Sequence, residues 1–287
     1  MQGQSLRVMI TGSNKGIGYG IIETALANRD KLRRKYKFIM TARDLVKGEA
    51  AMANLREKYG PNIPVDLIKL DVSDPGLIED AIRDLQTRDP IDILINNAGI
   101  YVRNAPIDQD AIDVTLDTNY FGPRRLTEQM LQCGLINDGG KVLFMSSLLG
   151  KFNSLRVSYP EVYNILKEYQ SSEFSLQDLD KMVKRYQHES TIPEKLRQWQ
   201  HNPYDTSKNF IAIYAYLLAW QPDVLRRDIQ VYSLDPGFCD TDLTKGIGAG
   251  LTYLQGSTTP MYLVELPRGV NRRLQGGYFI DKHLASL

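Results

Sequence analysis

Tyr204 and Lys208 stand four residues apart in the segment Tyr204-Asp205-Thr206-Ser207-Lys208. On a helix that spacing puts both side chains on one face. A phenol ordinarily titrates at about 10, and a neighbouring ammonium lowers that value. The pair therefore makes a proton donor and acceptor usable near neutral pH. Alone it is a common pattern, and its meaning depends on what precedes it. Ser147 closes an apolar run, Lys141 to Met145, at a position suited to hydrogen-bonding a substrate oxygen; a serine there is also an ordinary turn former. Asn119 falls inside a helical pattern from Asp110 to Leu131. Mid-helix asparagine is mildly unfavourable, so a buried one bonds something specific, while an exposed one is equally compatible with the pattern.

The elements that must position these groups alternate between strand and helix. Leu6 to Thr11 predicts a short buried strand, and a helical pattern starts at Ile17 and continues through Ile21, Ile22 and Leu26. Between them lie Gly12, Ser13, Asn14, Lys15, Gly16 and Gly18, a glycine loop in the strand-to-helix context of a dinucleotide site. Glycines admit a close backbone approach, and the helix N-terminus attracts a pyrophosphate. A second strand, Tyr36 to Ala42, runs into Arg43 rather than an acidic residue. A guanidinium there suits a 2′-phosphate, and Lys15 adds a second charge, so the pair points to NADPH. Asp44, one residue later, leaves NADH open.

Val65 to Leu70 predicts a third strand, closed by Asp71 and Val72, where a polar group meets an adenine edge or caps the helix starting near Pro75. Ile91 to Ile95 predicts a fourth, entering the turn Asn96-Asn97-Ala98-Gly99. Lys141 to Met145 and Ile229 to Leu234 give the fifth and sixth, and Gly277 to Ile280 the last. The fold class is α/β: a doubly wound parallel sheet of about seven strands with helices on both faces. The whole chain, 1–287, reads as a single domain. A glycine-free stretch from Lys151 to Pro236 predicts a helical insertion over about 152–200, before Tyr204. Its segments are Pro160 to Tyr169, a helix through Leu176, Leu179, Met182, Val183 and Tyr186 capped by Ser175 with Asp178, and Pro193 to Trp199. After Pro236-Gly237, the region 237–257 with Thr241 and the glycines 246 to 250 predicts a mobile flap.

Bulk properties exclude several classes. A net charge of +1 gives no drive toward nucleic acid or an anionic membrane. No apolar run is long enough to span a bilayer, and the N-terminus lacks a signal-peptide layout. Two cysteines, Cys133 and Cys239, make no disulfide framework and favour a reducing, cytoplasmic setting. Cys239 lies close to the proposed site, yet an ordinary packing role is the simpler reading. The three histidines show no metal-ligand spacing, so no metal is expected.

Taken in order, Thr11-Gly12-Ser13-Asn14-Lys15-Gly16-Ile17-Gly18, Asn96-Asn97-Ala98-Gly99, Asn119, Ser147, Tyr204 with Lys208, and Pro236-Gly237 with Thr241 resemble the short-chain dehydrogenase/reductase family across essentially the whole chain. Thr41-Ala42-Arg43-Asp44, the wide gap between Ser147 and Tyr204, and the Pro160-Glu161 segment resemble its monomeric NADPH-dependent carbonyl reductases. The resemblance implies reduction of ketones, aldehydes or quinones, with Tyr204 as the proton donor and Ser147 orienting the carbonyl. It implies that Lys208 lowers the Tyr204 pKa and holds the nicotinamide ribose, and that Asn119 holds a water. It implies cofactor contacts from Gly12 through Gly18, Arg43, Asp71, Val72, Asn97, Ala98, Gly99, Pro236, Gly237 and Thr241, and a monomer whose inserted helices cover the surface relatives use to dimerise. The alternatives are an NAD-dependent alcohol, steroid or retinoid dehydrogenase and a catalytically silent NADPH-binding regulator.

Overall fold

The computed structural model describes residues 5–103, 108–150, 174–192 and 202–285. Its centre is an eight-stranded sheet ordered β10 (His283–Ala285), β9 (Tyr278–Ile280), β6 (Gln230–Asp235), β5 (Ile136–Met145), β4 (Ile91–Asn96), β1 (Leu6–Ile10), β2 (Tyr36–Ala42) and β3 (Val65–Lys69), while β7 (Cys239–Asp240) and β8 (Leu251–Thr252) form a separate pair. The chain starts in the middle with β1 and steps outward through β2 and β3. It then returns across β1 to β4, β5, β6 and β9. The reversal between β1 and β4 opens a crevice at the carboxyl ends of the strands, where sheets of this kind bind ligands.

Seven strands run parallel, each joined by a crossover, in line with the sequence pattern. The eighth, β10 (His283–Ala285), folds back antiparallel on β9. Asp281 and Lys282 at the turn take positive φ angles of 45° and 67°. β5 begins five residues before the stretch read from sequence, because its register on β4 shifts between Ile91 and Ile93. That bulge absorbs Asn137 to Gly140, a polar run that does not read as strand.

Apolar layers pack on both faces. One joins α1 (Gly16–Ala27), α2 (Leu45–Tyr59) and a later helix at Thr258–Glu265 to the sheet through Ile21, Leu55 and Leu263. The other joins α3 (Pro75–Gln86), α4 (Gln109–Leu116) and α5 (Gly122–Gln132) through Ile78, Ile112 and Leu126. To this second layer belong α6 (Leu176–Glu189) and α7 (Pro203–Ala219). α7 is apolar nearly all round because it is buried nearly all round. α6 carries the expected capping box of Ser175 and Asp178 and buries Leu179, Met182, Val183 and Tyr186. The other two segments expected in the insertion, 160–169 and 193–199, lie outside the described residues.

The long helix expected from Asp110 to Leu131 is interrupted. Asp117–Phe121 forms a π-helical turn, in which the Gly122 amide reaches back five residues to the Asp117 carbonyl. Pro123 follows and has no N–H to continue the ordinary ladder. Asn119 sits in that turn, buried. Among the described residues no helix is long and apolar enough to cross a membrane.

Candidate active site

The first part of the site is the glycine loop. Ser13 lies beneath it: its Oγ donates to the Ile10 carbonyl at 2.8 Å and accepts from the Thr41 amide at 3.1 Å. The Gly12 amide donates to Thr41 Oγ1 at 3.0 Å. Ser13 is fully buried and fastens the loop to β2. α1 begins at Gly16 with no side-chain cap, whereas α2, α3, α4, α6 and α7 are capped by Asp44, Asp74, Asp108, Ser175 and Asn202. Its first amides are thus left to another acceptor. A Cβ added at Gly18 would come within 2.5 Å of Asn97 Nδ2 and 2.9 Å of Ser13 Cα, so only glycine lets loop and turn close together. Ile17, half-buried, faces Gly256 from the same turn.

Asn97 ties the second turn to the first. Its amide donates to Thr11 Oγ1 at 2.9 Å, and its Nδ2 donates to the carbonyls of Thr11 and Gly12 at 2.8 and 3.1 Å. The Ala98 amide shares Thr11 Oγ1 at 2.9 Å. Arg43 is exposed at the end of β2. Asp44 accepts from the Val46 and Lys47 amides, so its carboxylate caps α2. Asp71 is engaged with Ser73, accepting from its amide at 3.0 Å and its hydroxyl at 2.7 Å. The cap of α3 is Asp74, and Val72 packs into the core.

The chemical end of the crevice is built by α7, β5, β6 and the turn after β4. Asn202 caps α7 by accepting from the Asp205 amide, and Pro203 opens the helix, which brings Tyr204 and Lys208 over the end of β5. Lys208 Nζ is buried and donates to the Met145 carbonyl at 2.8 Å. It lies 5.6 Å from the centre of the Tyr204 ring. Ser146 Oγ donates to the Lys208 carbonyl at 2.8 Å, and the Tyr278 hydroxyl donates to the Ser147 carbonyl at 2.5 Å. These bonds fix the Ser146-Ser147 pair, whose second member presents its side chain to the Tyr204 phenol and favours its ionised form. Asn119 accepts from the Ile100 amide at 2.8 Å and donates to the Ile100 carbonyl at 2.9 Å and to Ser207 Oγ at 3.0 Å. A Cβ at Gly99 would lie 3.3 Å from both Asn119 Oδ1 and Lys208 Nζ, which places those two groups around one small residue.

Burial governs the electrostatics of the Tyr204–Lys208 pair. It pushes the phenol above its ordinary value, and Ser147 opposes this without offsetting it. Lys208 is itself driven down to about 8 by burial, which weakens the charge it presents. Asp235, Asp205 and Tyr101 also favour the protonated phenol.

The flap closes the arrangement from above. Pro236 and Gly237 follow β6, and the Gly237 amide donates to Asp235 Oδ1 at 3.1 Å. Cys239 is buried, its thiol pushed up to about 11, so it behaves as a packing residue. The Thr241 side chain comes within 3.5 Å of a Cβ position at Gly16, spanning the crevice from flap to glycine loop. Sequence reasoning missed Asp242, which pairs with Lys15 at 2.5 Å. It also missed Tyr101, whose ring centre lies 5.0 Å from that of Tyr204, and Tyr278. Tyr101 was within reach, since it follows the Asn-Asn-Ala-Gly turn at a strand's carboxyl end. The Asp242 partnership crosses 227 residues and leaves no local signal.

The family model for short chain dehydrogenase matches residues 7–160. The chain belongs to the short-chain dehydrogenase family. As a short-chain dehydrogenase it is an oxidoreductase with a glycine-loop crevice, and its curated relatives agree. It is 31% identical over 270 residues to carbonyl reductase [NADPH] 3 of Mus musculus, covering 90% of each chain. It is 28% identical over 270 residues to carbonyl reductase [NADPH] 1 of the same species, again covering 90% of each. Among solved structures, salutaridine reductase from Papaver somniferum superposes with a TM-score of 0.77 at 22% identity, over 96% of this chain and 99% of that one. NADPH-bound carbonyl reductase from chicken fatty liver does so with a TM-score of 0.66 at 20% identity, over 99% and 100%. These two likenesses show the shared fold.

Proposed function

We propose that this short-chain dehydrogenase is an NADPH-dependent carbonyl reductase that converts ketones, aldehydes or quinones to alcohols. The observation that carries the reading is the Tyr204 ring, with Ser147 at its phenol and a buried Lys208 5.6 Å from its centre. The uncapped start of α1, the close-packed Gly18 and the Thr241 span form a cradle that fits a dinucleotide. Gly12, Asn14 to Gly18, Asn97 to Gly99, Pro236, Gly237 and Thr241 would hold it, with Asp71 and Val72 at the adenine end and Lys15 and Arg43 toward a 2′-phosphate. Bound NADPH would supply the hydride.

The chain's own residues supply the rest. A phenol held above its ordinary value keeps its proton at neutral pH, so Tyr204 meets an incoming carbonyl as an acid. It gives that proton to the carbonyl oxygen as the carbon is reduced, and the oxygen becomes the alcohol. Ser147 donates a second hydrogen bond to the same oxygen and fixes its position. Lys208, facing Asn119 across Gly99, is placed to return a proton to Tyr204 by way of a water held at Asn119. The NAD-dependent dehydrogenase reading is less well supported, because Asp44 commits its carboxylate to the cap of α2. The monomeric, cytosolic reading rests on the family resemblance and on Cys133 and Cys239 both being free.

The test is Tyr204→Phe. A positioned acid contributes about 10²–10⁴-fold, so reduction of a quinone by NADPH should fall by at least that range while NADPH still binds. Turnover at the wild-type rate would remove the mechanism.

A further inference from the structure

Arg103 stands four residues after Gly99, beyond Tyr101 on the same turn. Its guanidinium lies 5.3 Å from the centre of the Tyr101 ring, which in turn lies 5.0 Å from the Tyr204 ring. The charge is therefore held within about 10 Å of the Tyr204 ring. Its Nη1 donates to the Lys245 carbonyl of the flap at 2.7 Å. Its Nη2 is shielded and has no hydrogen-bond partner among the described residues. A guanidinium presents a flat fork of donors, and one tooth of this fork is left over. An unpaired, shielded donor is unfavourable, and natural sites rarely keep one without use.

Exposed apolar side chains follow the site residues in the chain. Leu148 and Leu149 follow Ser147 and are about half exposed, as are Phe238 after Gly237 and Ile247 on the flap. Lys245 carries the carbonyl that Arg103 holds. The flap next to it has room to yield: Gly246 and Gly248 take φ angles of 82° and 74°, and among the described residues nothing lies within 4 Å of a Cβ placed at either. A shift of Lys245 away from Arg103 uncovers the fork without disturbing the core.

We infer that the substrate of this site is a keto acid, an apolar carbonyl compound whose carboxylate is gripped by Arg103 as the flap yields. The inference rests on the carbonyl-reductase reading and narrows it. The carboxylate accepts from Nη2 and from the donor that Lys245 gives up, an arrangement that matches a planar fork. At about 1.5 Å per covalent bond, the span to Tyr204 admits a spacer of up to roughly six bonds between carboxylate and carbonyl. An aryl ketone with a para carboxylate or a short carboxyalkyl arm meets this description.

The experiment compares such keto acids with their methyl esters, using NADPH and the full chain. A hydrogen bond between charged partners amounts to roughly a ten- to hundredfold difference, so kcat/KM should favour the acid by that factor. Arg103→Gln should lower kcat/KM for the acid by ten- to a hundredfold more than for the ester. Equal turnover of acid and ester by the wild type overturns the inference, even if the variant fails to fold. An equal loss for both in Arg103→Gln also overturns it, and would make Arg103 a clasp for the flap or a cofactor contact. Absence of reduction for either member of every pair would instead remove the carbonyl-reductase reading beneath it.

Discussion

Lys15 is the residue through which cofactor choice can be measured. It is held at 2.5 Å by Asp242, and both side chains are about two-thirds exposed, at 64% and 69%. A 2′-phosphate must take Lys15 from that carboxylate. Exposed pairs of this kind contribute about 0.2–1 kcal/mol, and a hydrogen bond between charged partners about 1.5–3 kcal/mol. The exchange then favours phosphate by about 0.5–2.8 kcal/mol, or about 2- to 100-fold in affinity. Lys15→Ala should weaken NADPH binding by that factor and leave NADH binding nearly as it was. Asp242→Asn should tighten NADPH by about 1.4- to 5-fold, and the gain should vanish in the double variant, where there is no lysine to release. Quenching of protein fluorescence, titrated with each nucleotide at fixed salt, reads the affinities of the wild type and the three variants. Equal weakening of NADH and NADPH by Lys15→Ala would refute the argument, and so would weaker NADPH binding in Asp242→Asn.

Asn119→Ala removes two bonds to Ile100 and one to Ser207, leaving buried groups unpaired. Urea unfolding should show a loss of about 1–3 kcal/mol, together with a fall in kcat. Lys141 gives a pH signature of stability. It is buried, donates to the carbonyls of Leu263, Val264 and Leu266 at the end of a helix, and is pushed down to about 7 by burial. Its folded value lies below its unfolded one, so between about pH 7 and 10 the unfolded chain binds the extra proton and stability rises with pH. Wild type should therefore gain thermal stability over Lys141→Met across that window. Three carbonyl acceptors favour the ammonium, since a neutral amine offers only two donors, so a difference that stays flat would mean the carbonyls dominate over burial.

Much of the site was legible because its signals are local. A glycine loop between a strand and a helix, a tyrosine four residues before a lysine, and a serine at a strand's end each say where a group stands. The capping box at Ser175 and Asp178 was equally readable. Roles settled by distant partners were not. Ser13 reads as one more loop residue until its bonds to Ile10 and Thr41 are seen. Lys15 looks free until Asp242 returns from the flap. The tyrosine–lysine spacing places the two groups together, but it does not encode burial, which raises the phenol. The turn into β10 uses Asp281 and Lys282 at positive φ, where asparagine and glycine are the usual signal, so the final strand left no mark in the sequence.

The π-helical turn at Asp117–Phe121 has an effect on the phase of the rod it interrupts. An α-helix advances about 100° per residue, so one extra residue in a turn rotates everything after it relative to everything before. α4 can then aim Ile112 and Leu116 toward α6 and α7, while α5 aims Leu126 and Met130 toward α3 and β5. A single straight helix would have to share one stripe between both sets of neighbours. Deleting one residue between 117 and 121 would restore a regular ladder and leave the composition almost untouched. It would also swing one half of the rod by about 100° against the other, carrying either Asn119 out of the crevice or Leu126 out of the core.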